Sequence, residues 1–306
     1  MKRDVISMLD LEDVLPEVLQ LAKDLKKGKY ANEQPLRGKK LAMIFEKSST
    51  RTRVSFEVGM LELGGHALNL SMKDLQLGRG ETVADTAKVL SRYVDGIMYR
   101  AYQHEMMLDL AKNASVPVIN ALDNFEHPCQ ILADLLTVIE YKKQLKGKKM
   151  TYVGDGNNVC NSLMLGCAMS GMHFVAACPN GYDPDLGLTK KALALAKNYK
   201  GTVEIIEDPM EAAKDADVVY TDVWVSMGQE AEANAREKLF MPYQINSAMM
   251  AKAKKDAIAM HCLPAHRGME ISAEVMDGPQ SVVFDQAENR LHVQKALMML
   301  VLGGKK

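Results

Sequence analysis

Five consecutive residues, Ser49-Thr50-Arg51-Thr52-Arg53, gather hydroxyls and guanidinium groups where the apolar run LAMIF gives way to a helical pattern. Ser48 or Ser49 can cap that helix. The first helical turn then presents backbone N–H groups with no partner inside the helix, and these attract an anion together with the helix dipole. Arginine adds a two-pronged donor that matches phosphate. The chemistry expected is a phosphate cradle at the carboxyl end of a parallel strand, where open α/β sheets bind ligands. The same residues also fit a well-capped helix with solvated arginines.

A second loop-to-helix transition, DNFEHPCQILADLL, carries His127, Pro128, Cys129 and Gln130. Proline suits the first helical position because its φ is preset and its missing N–H is not needed there. His127 and Gln130 can then reach a small polar ligand, and histidine can donate to a carbonyl oxygen as charge builds on it. Equally, His127 can cap the helix while Gln130 lies on the surface. Downstream, TDVWVSMG follows the apolar run ADVVY. Its Asp222 can meet a cationic group, Ser226 can bond a ligand, and Gly228 permits a mobile loop that Trp224 anchors. An ordinary strand-end turn capped by Asp222 fits as well. In KKDAIAMHCLPAHRG, His261 and Cys262 stand where a strand ends and Pro264 stops it. Cys262 as a thiolate can take or orient a proton; as a buried thiol it is a small hydrophobe.

One motif argues against a cofactor. MTYVGDGNNVCNSLM has a strand, two spaced glycines and a helix, in the manner of a dinucleotide-binding turn, but Val159 stands where a third glycine belongs. The next strand, HFVAA, ends in Cys178-Pro179 and lacks the acidic residue that would hold a ribose. Asn157 and Asn158 offer amides to a polar ligand instead. No cofactor is expected. No metal site is expected either, because the five cysteines form no CxxC pair and are read as free thiols.

Sites of this kind need strands that end in loops on one edge of a sheet, and the chain alternates accordingly. Short apolar runs at 39–45, 67–70, 96–99, 116–120, 150–153, 173–177, 203–206, 217–221 and 257–261 predict strands. Between them lie helical patterns in which Val54, Val58 and Leu61 share a face, as do Val83, Ala87, Leu90 and Val94, and Ile131, Leu135 and Val138. The fold expected is α/β, with two domains that are each a parallel sheet flanked by helices. The run YKKQLKGKK at 141–149 marks the boundary, which gives domains at 1–145 and 146–306, and a last helix at 288–302 is free to pack on the first domain. A length of 306 residues suits two domains, and 47% hydrophobic with 25% charged residues suits a globular chain. A formal net charge of −1 gives no reason to expect nucleic acid or an anionic membrane as partner. Acidic residues interrupt the first fifteen positions before an apolar stretch can form, and no apolar run approaches membrane-spanning length, so a cytoplasmic location is expected.

Taken together and in order, FEKSSTRTRVSFE, EHPCQILADLLT, DVWVSMGQE and HCLPAHRG resemble the aspartate/ornithine carbamoyltransferase superfamily from about residue 40 to the end. STRT and HPxQ are shared by both main branches, whereas DxxxSMG and HCLP look like the ornithine branch. The aspartate branch typically has HPLPR at the last motif and a lysine-bearing loop where this chain has LQLGRG at 75–80.

The resemblance implies transfer of a carbamoyl group from carbamoyl phosphate to L-ornithine, with the first domain binding carbamoyl phosphate and the second ornithine. It implies that Ser49, Thr50, Arg51 and Thr52 hold the phosphate. Gln76 joins them, in this family typically from a neighbouring subunit of a homotrimer. Arg100, His127, Gln130 and Arg290 attend the carbamoyl group. Asn158, Asp222, Ser226 and Met227 bind ornithine, and Cys262 and Leu263 lie beside both substrates. Arg51, Arg100, His127 and Cys262 are the residues expected to act on the reaction. The rival readings are a carbamoyltransferase for another amine such as putrescine, an NAD-dependent dehydrogenase, and a non-catalytic protein on the same fold.

Overall fold

The computed structural model describes residues 2–30, 32–72, 75–77, 80–225 and 233–303. They form two compact units, Met1–Leu136 with Glu288–Lys306 and Thr137–Ala287. The divisions fall inside two helices.

The first unit holds four strands in the order β2-β1-β3-β4 among the described residues: β1 (Lys40–Phe45), β2 (His66–Ser71), β3 (Gly96–Arg100) and β4 (Val118–Leu122). All neighbours are parallel. The connecting helices are α1 (Leu15–Lys26), α2 (Thr50–Glu62), α3 (Val83–Leu90), α4 (His104–Asn113) and α5 (Pro128–Lys142). β1 is flanked by β2 on one side and β3 on the other, so the chain reverses its winding between β1 and β3. That is the point where an open parallel sheet leaves a crevice beyond its carboxyl edge. The N-terminal segment extends the far edge, with Val5 bridged to Ile119 and its N–H bonded to Val118 O at 2.8 Å.

The second unit holds β5 (Lys149–Val153), α6 (Asn158–Met169), β6 (His173–Ala177), α7 (Leu186–Tyr199), β7 (Thr202–Ile206), α8 (Pro209–Ala213), β8 (Val218–Thr221), α9 (Ala233–Phe240), α10 (Ser247–Met250), β9 (Ile258–His261), α11 (Ala273–Met276) and the start of α12 (Val283–Leu302). Its sheet is again parallel, in the order β7-β6-β5-β8-β9. Here the winding reverses between β5 and β8. All nine expected strands are present to within two residues at each end; seven are buried along most of their length, as strands covered on both faces are, whereas β2 and β7 are largely half-buried or exposed.

The terminal helix starts earlier than the 288 expected, and from Glu288 onward it belongs to the first unit. Lys26 Nζ donates to Asn289 Oδ1 at 2.8 Å, and Lys295 pairs with Glu62 at 2.5 Å. A glycine makes the close approach possible, because a Cβ at Gly59 would stand 2.9 Å from Met298 Cε. Where α3 and α4 cover the sheet, Ile44, Ile97, Tyr99, Met107 and Val118 belong to one apolar core cluster of the first unit. The second unit buries Val153, Val219, Ile245, Met249 and Ile271 in the same way.

One helix face departs from the sequence reading. Val54 and Leu61 of α2 are 51% and 72% exposed, while Thr52, Ser55, Phe56, Gly59 and Met60 are the buried residues. The apolar face at 54, 58 and 61 therefore points away from the core of this chain, and small and polar residues line the side that meets α12. No helix among the described residues is long and apolar enough to cross a membrane.

Candidate active site

On the first unit, α2 begins directly beyond β1, and Ser49 is its cap. Thr52 N–H donates to Ser49 Oγ at 3.2 Å, and Ser49 Oγ–H donates to Thr52 Oγ1 at 3.1 Å. This leaves Thr50 and Arg51 on the first turn, with Arg51 half-buried and Thr52 buried. Arg53 goes elsewhere, since its guanidinium lies 3.6 Å from Glu57 on the exposed face. For that residue the solvated reading holds.

α5 begins beyond β4. Its first turn buries His127, Cys129 and Gln130. Arg290 of α12 ties the two helix starts together: Nη1 donates to Gln130 Oε1 at 2.6 Å and Nη2 to Thr52 Oγ1 at 3.2 Å. Gln130 is held from its other end, where Nε2 donates to Asp134 Oδ1 at 2.9 Å. Gln294, one turn along α12, accepts from Arg290 Nε at 3.1 Å and Nη2 at 2.9 Å with its amide oxygen turned inward, and its nitrogen donates to Ser55 Oγ. Arg100 ends β3, where the register slips against β4, and it is buried. Thr52, Gln130 and Arg290 are thus joined directly.

The electrostatics of this corner fix the state of His127. Burial, followed by the nearby charges of Arg290, Arg100 and Arg51, holds its pKa well below the ordinary histidine value. The ring is neutral around pH 7 and carries one proton that it can give to an oxygen. Burial also pushes the neighbouring Cys129 thiol up to about 12, so that sulfur is no nucleophile. Gln76 is exposed, and no hydrogen bond among the described residues draws its side chain into this corner.

The second unit repeats the arrangement with different chemistry. Asn157 caps α6 beyond β5, its Oδ1 accepting from Val159 N at 2.9 Å and Cys160 N at 3.1 Å. Its Nδ2 donates to Asp222 Oδ2, beyond β8, at 2.9 Å. The other carboxylate oxygen of Asp222 accepts from Cys262 Sγ, beyond β9, at 2.8 Å. Asn158 lies on the first turn of α6, with Oδ1 3.0 Å from Val159 N. Trp224 is buried against Phe240, and Arg236 Nε donates to its carbonyl at 2.6 Å. Ser226 and Met227, expected in that loop, lie outside the described residues, as does Gly228.

A buried pair shapes the His261-Cys262-Leu263 turn. Leu263 N–H donates to His261 Nδ1 at 2.8 Å, so the ring proton must sit on Nε2, which lies 3.0 Å from Glu270 Oε1. Glu270 also accepts from His266 N at 2.6 Å. Burial alone would raise this carboxyl, yet those hydrogen bonds outweigh it and hold the pKa below the usual glutamate value. The ligand atoms of Asp222, His261 and Cys262 lie within 4.8 Å of one another. They could hold a metal only if His261 gave up one of its two ring hydrogen bonds.

The glycine turn has its own explanation. A Cβ at Gly156 would stand 2.3 Å from the backbone of Asp183 and Pro184, and Asp155 pairs with Arg236. The space a dinucleotide fingerprint would keep for a pyrophosphate is taken by the chain's own backbone.

Sequence reasoning did not single out Asp134, Gln294, Glu270 or Asn157 as holders of these side chains. Asp134 had a signal, because it stands four residues after Gln130 on the same helix face. Glu270 and Gln294 had none, since their partners are chosen by packing.

The chain is similar to known proteins in sequence and fold. Residues 3–140 match the family model described as the carbamoyl-P binding domain of aspartate/ornithine carbamoyltransferase, and residues 146–301 match its Asp/Orn binding domain. The ornithine carbamoyltransferase of Methanobrevibacter smithii is 57% identical over 96% of this chain and 98% of its own. That of Methanosarcina mazei is 55% identical over 99% and 100%. Among solved structures, the ornithine carbamoyltransferase of Pyrococcus furiosus superposes with a TM-score of 0.95 at 55% identity, covering 100% of this chain and 98% of that one.

Proposed function

Because the chain belongs to the aspartate/ornithine carbamoyltransferase family, and so is a carbamoyltransferase, we propose that its acceptor is L-ornithine and its products L-citrulline and phosphate. The observation that carries the choice of acceptor is the Asp222 carboxylate held by the Cys262 thiol at 2.8 Å, while the bridge from Arg290 to Thr52 and Gln130 supports the carbamoyl-phosphate corner.

In this reading the amine nitrogen attacks the carbamoyl carbon directly. The carbonyl oxygen becomes an oxyanion, the bond from that carbon to the phosphate oxygen breaks, and the phosphate leaves. Neutral His127 donates a hydrogen bond to the oxyanion and keeps its proton, Thr52 and Arg100 attend the same charge, and the carbonyl re-forms as the phosphate leaves. Fixed donors of this kind are worth roughly 10²–10³ in rate apiece. Ser49, Thr50 and Arg51, with the N–H groups of α2, receive the phosphate.

An unperturbed side-chain amine has a pKa of roughly 10.4 and must lose its proton before it can attack. Asp222 orients that amine. The thiol of Cys262, which donates to Asp222, fixes the carboxylate, and the departing phosphate takes up the proton that the attacking nitrogen gives up. Asn158, Ser226 and Met227 attend the amino-acid end of ornithine. The preference for ornithine over aspartate follows from the second unit, where a carboxylate and a thiol face the acceptor and suit a cation.

The reading extends to a cytoplasmic homotrimer acting in arginine metabolism. Gln76 is exposed, as a residue offered to a neighbouring subunit has to be. A panel of amine acceptors assayed with carbamoyl phosphate held fixed tests the substrate, and sedimentation tests the assembly.

A further inference from the structure

Asp123 is a fully buried carboxylate with no part in the chemistry above, yet four donors converge on it. Oδ1 accepts from Phe125 N at 2.8 Å and Glu126 N at 2.7 Å. Oδ2 accepts from Asn120 Nδ2 at 2.9 Å and His104 Nδ1 at 2.7 Å. Asp123 N–H itself donates to Glu126 O at 3.1 Å and closes the turn. The next residue is His127, whose carbonyl already accepts the first bonds of α5, from Gln130 N at 3.0 Å and Ile131 N at 3.4 Å. The backbone that aims the His127 ring is therefore tied to a single carboxylate on one side and to a helix on the other.

The outer side of the turn is pinned as well. Glu126 Oε2 accepts from Met8 N at 3.0 Å, and Asn120 Nδ2 also reaches Ile6 O at 2.8 Å. His104, at the start of α4, meets the turn three times: its ring bonds Asp123, its N–H donates to Asn124 Oδ1 at 2.8 Å, and its ring lies 4.9 Å from Phe125.

We propose that Asp123 is a positioning residue for His127 and that His104 sets how firmly Asp123 holds the turn. This rests on the reading of His127 as the donor to the carbamoyl oxygen. A neutral imidazole has one proton to give, so only one ring orientation is productive. Sites of this kind must be held to about 0.5 Å and 10–20°.

His104 can change its charge. The hydrogen bond to Asp123 raises its pKa above the ordinary histidine value, burial works against this, and the charges of Asp123, Glu126 and Glu105 add to the rise. Lys47 is a cation that feels the charge of Asp123. Protonated His104 makes the stronger, charge-assisted bond. The hold is fully present at low pH and weakens as pH rises through the raised pKa.

The experiment compares kcat and KM for citrulline formation in wild type, His104→Gln, Asp123→Asn, His127→Asn and the Asp123→Asn/His127→Asn pair. Asp123→Asn should lower kcat by about 10–100-fold, the scale of misplaced catalytic groups, and should have no further effect once His127 is gone. Coupling of this sort separates positioning from general destabilisation. The ratio of wild-type to His104→Gln turnover should be largest at low pH and fall as pH rises, because the ionisation of ornithine cancels in the ratio. The proposal is overturned if Asp123→Asn cuts turnover equally in both backgrounds. A wild-type to His104→Gln ratio that stays flat with pH also overturns it, and this decides the matter if Asp123→Asn fails to fold. Normal turnover in His127→Asn sinks the reading of His127 itself, a different outcome from an active Asp123→Asn beside an inactive His127→Asn.

Discussion

Arg290 Nη1 donates to Gln130 Oε1 at 2.6 Å, across 160 residues of sequence, and its other terminal nitrogen reaches Thr52. The guanidinium thus orients the uncharged side chains of Gln130, Thr52 and Gln294, while its charge helps keep His127 neutral. Arg290→Met should leave Gln130 and Thr52 without their shared donor and relieve His127 of one positive neighbour. We expect turnover to fall by about 100-fold or more, on the scale of a lost preorganised donor, together with a rise in the His127 pKa readable by NMR. An unchanged His127 titration would show that Arg290 does not set its state.

Arg51 is a charge on the first turn of α2, where the proposed reading puts the phosphate. Arg51→Met should cut turnover by about 10² or more and leave the circular dichroism spectrum intact, because the residue is half-buried at the start of the helix. Near-normal activity would remove the phosphate cradle from the account.

Cys262 donates to Asp222 at 2.8 Å. Cys262→Ala should raise the KM for ornithine by about 10-fold, the worth of one hydrogen bond to a charged group, and Cys262→Ser should recover part of the loss. If neither variant changes ornithine KM or turnover, Cys262 has no role at the site.

Glu270 has a depressed pKa, so its contribution to stability is present above the ordinary carboxylate value and is lost as pH falls through the lowered folded value. Wild-type Tm should therefore drop more steeply below about pH 4–5 than that of Glu270→Gln, which starts lower at neutral pH but has no charge to lose. Parallel Tm profiles would show that the His261–Glu270 pair carries no net stabilisation.

Much of this fold is legible in the amino-acid sequence, because a strand buried on both faces must be a short apolar run, and all but β2 and β7 of the nine strands are buried in that way. Helix faces are less legible. Val54, Val58 and Leu61 form a clear apolar stripe, yet α2 turns Thr52, Ser55 and Gly59 inward, because it must meet α12 closely and offer hydroxyls to Arg290 and Gln294. At the site, Ser49 and Arg51 stand out through local pattern, since hydroxyls and charge at a helix start suit an anion. Arg290 does not: it sits in an ordinary helical repeat and entered only through the family resemblance. Asp123, Glu270 and Gln294 went unseen because a buried polar side chain acquires its role from partners that tertiary packing selects.

The central claim is the identity of the acceptor. Initial rates with carbamoyl phosphate held fixed and L-ornithine, putrescine or L-aspartate varied test it most directly. The account predicts that kcat/KM is highest for L-ornithine, with citrulline as the product, and that aspartate is essentially inert. A higher kcat/KM for putrescine, or measurable carbamoylation of aspartate without citrulline formation, would contradict it.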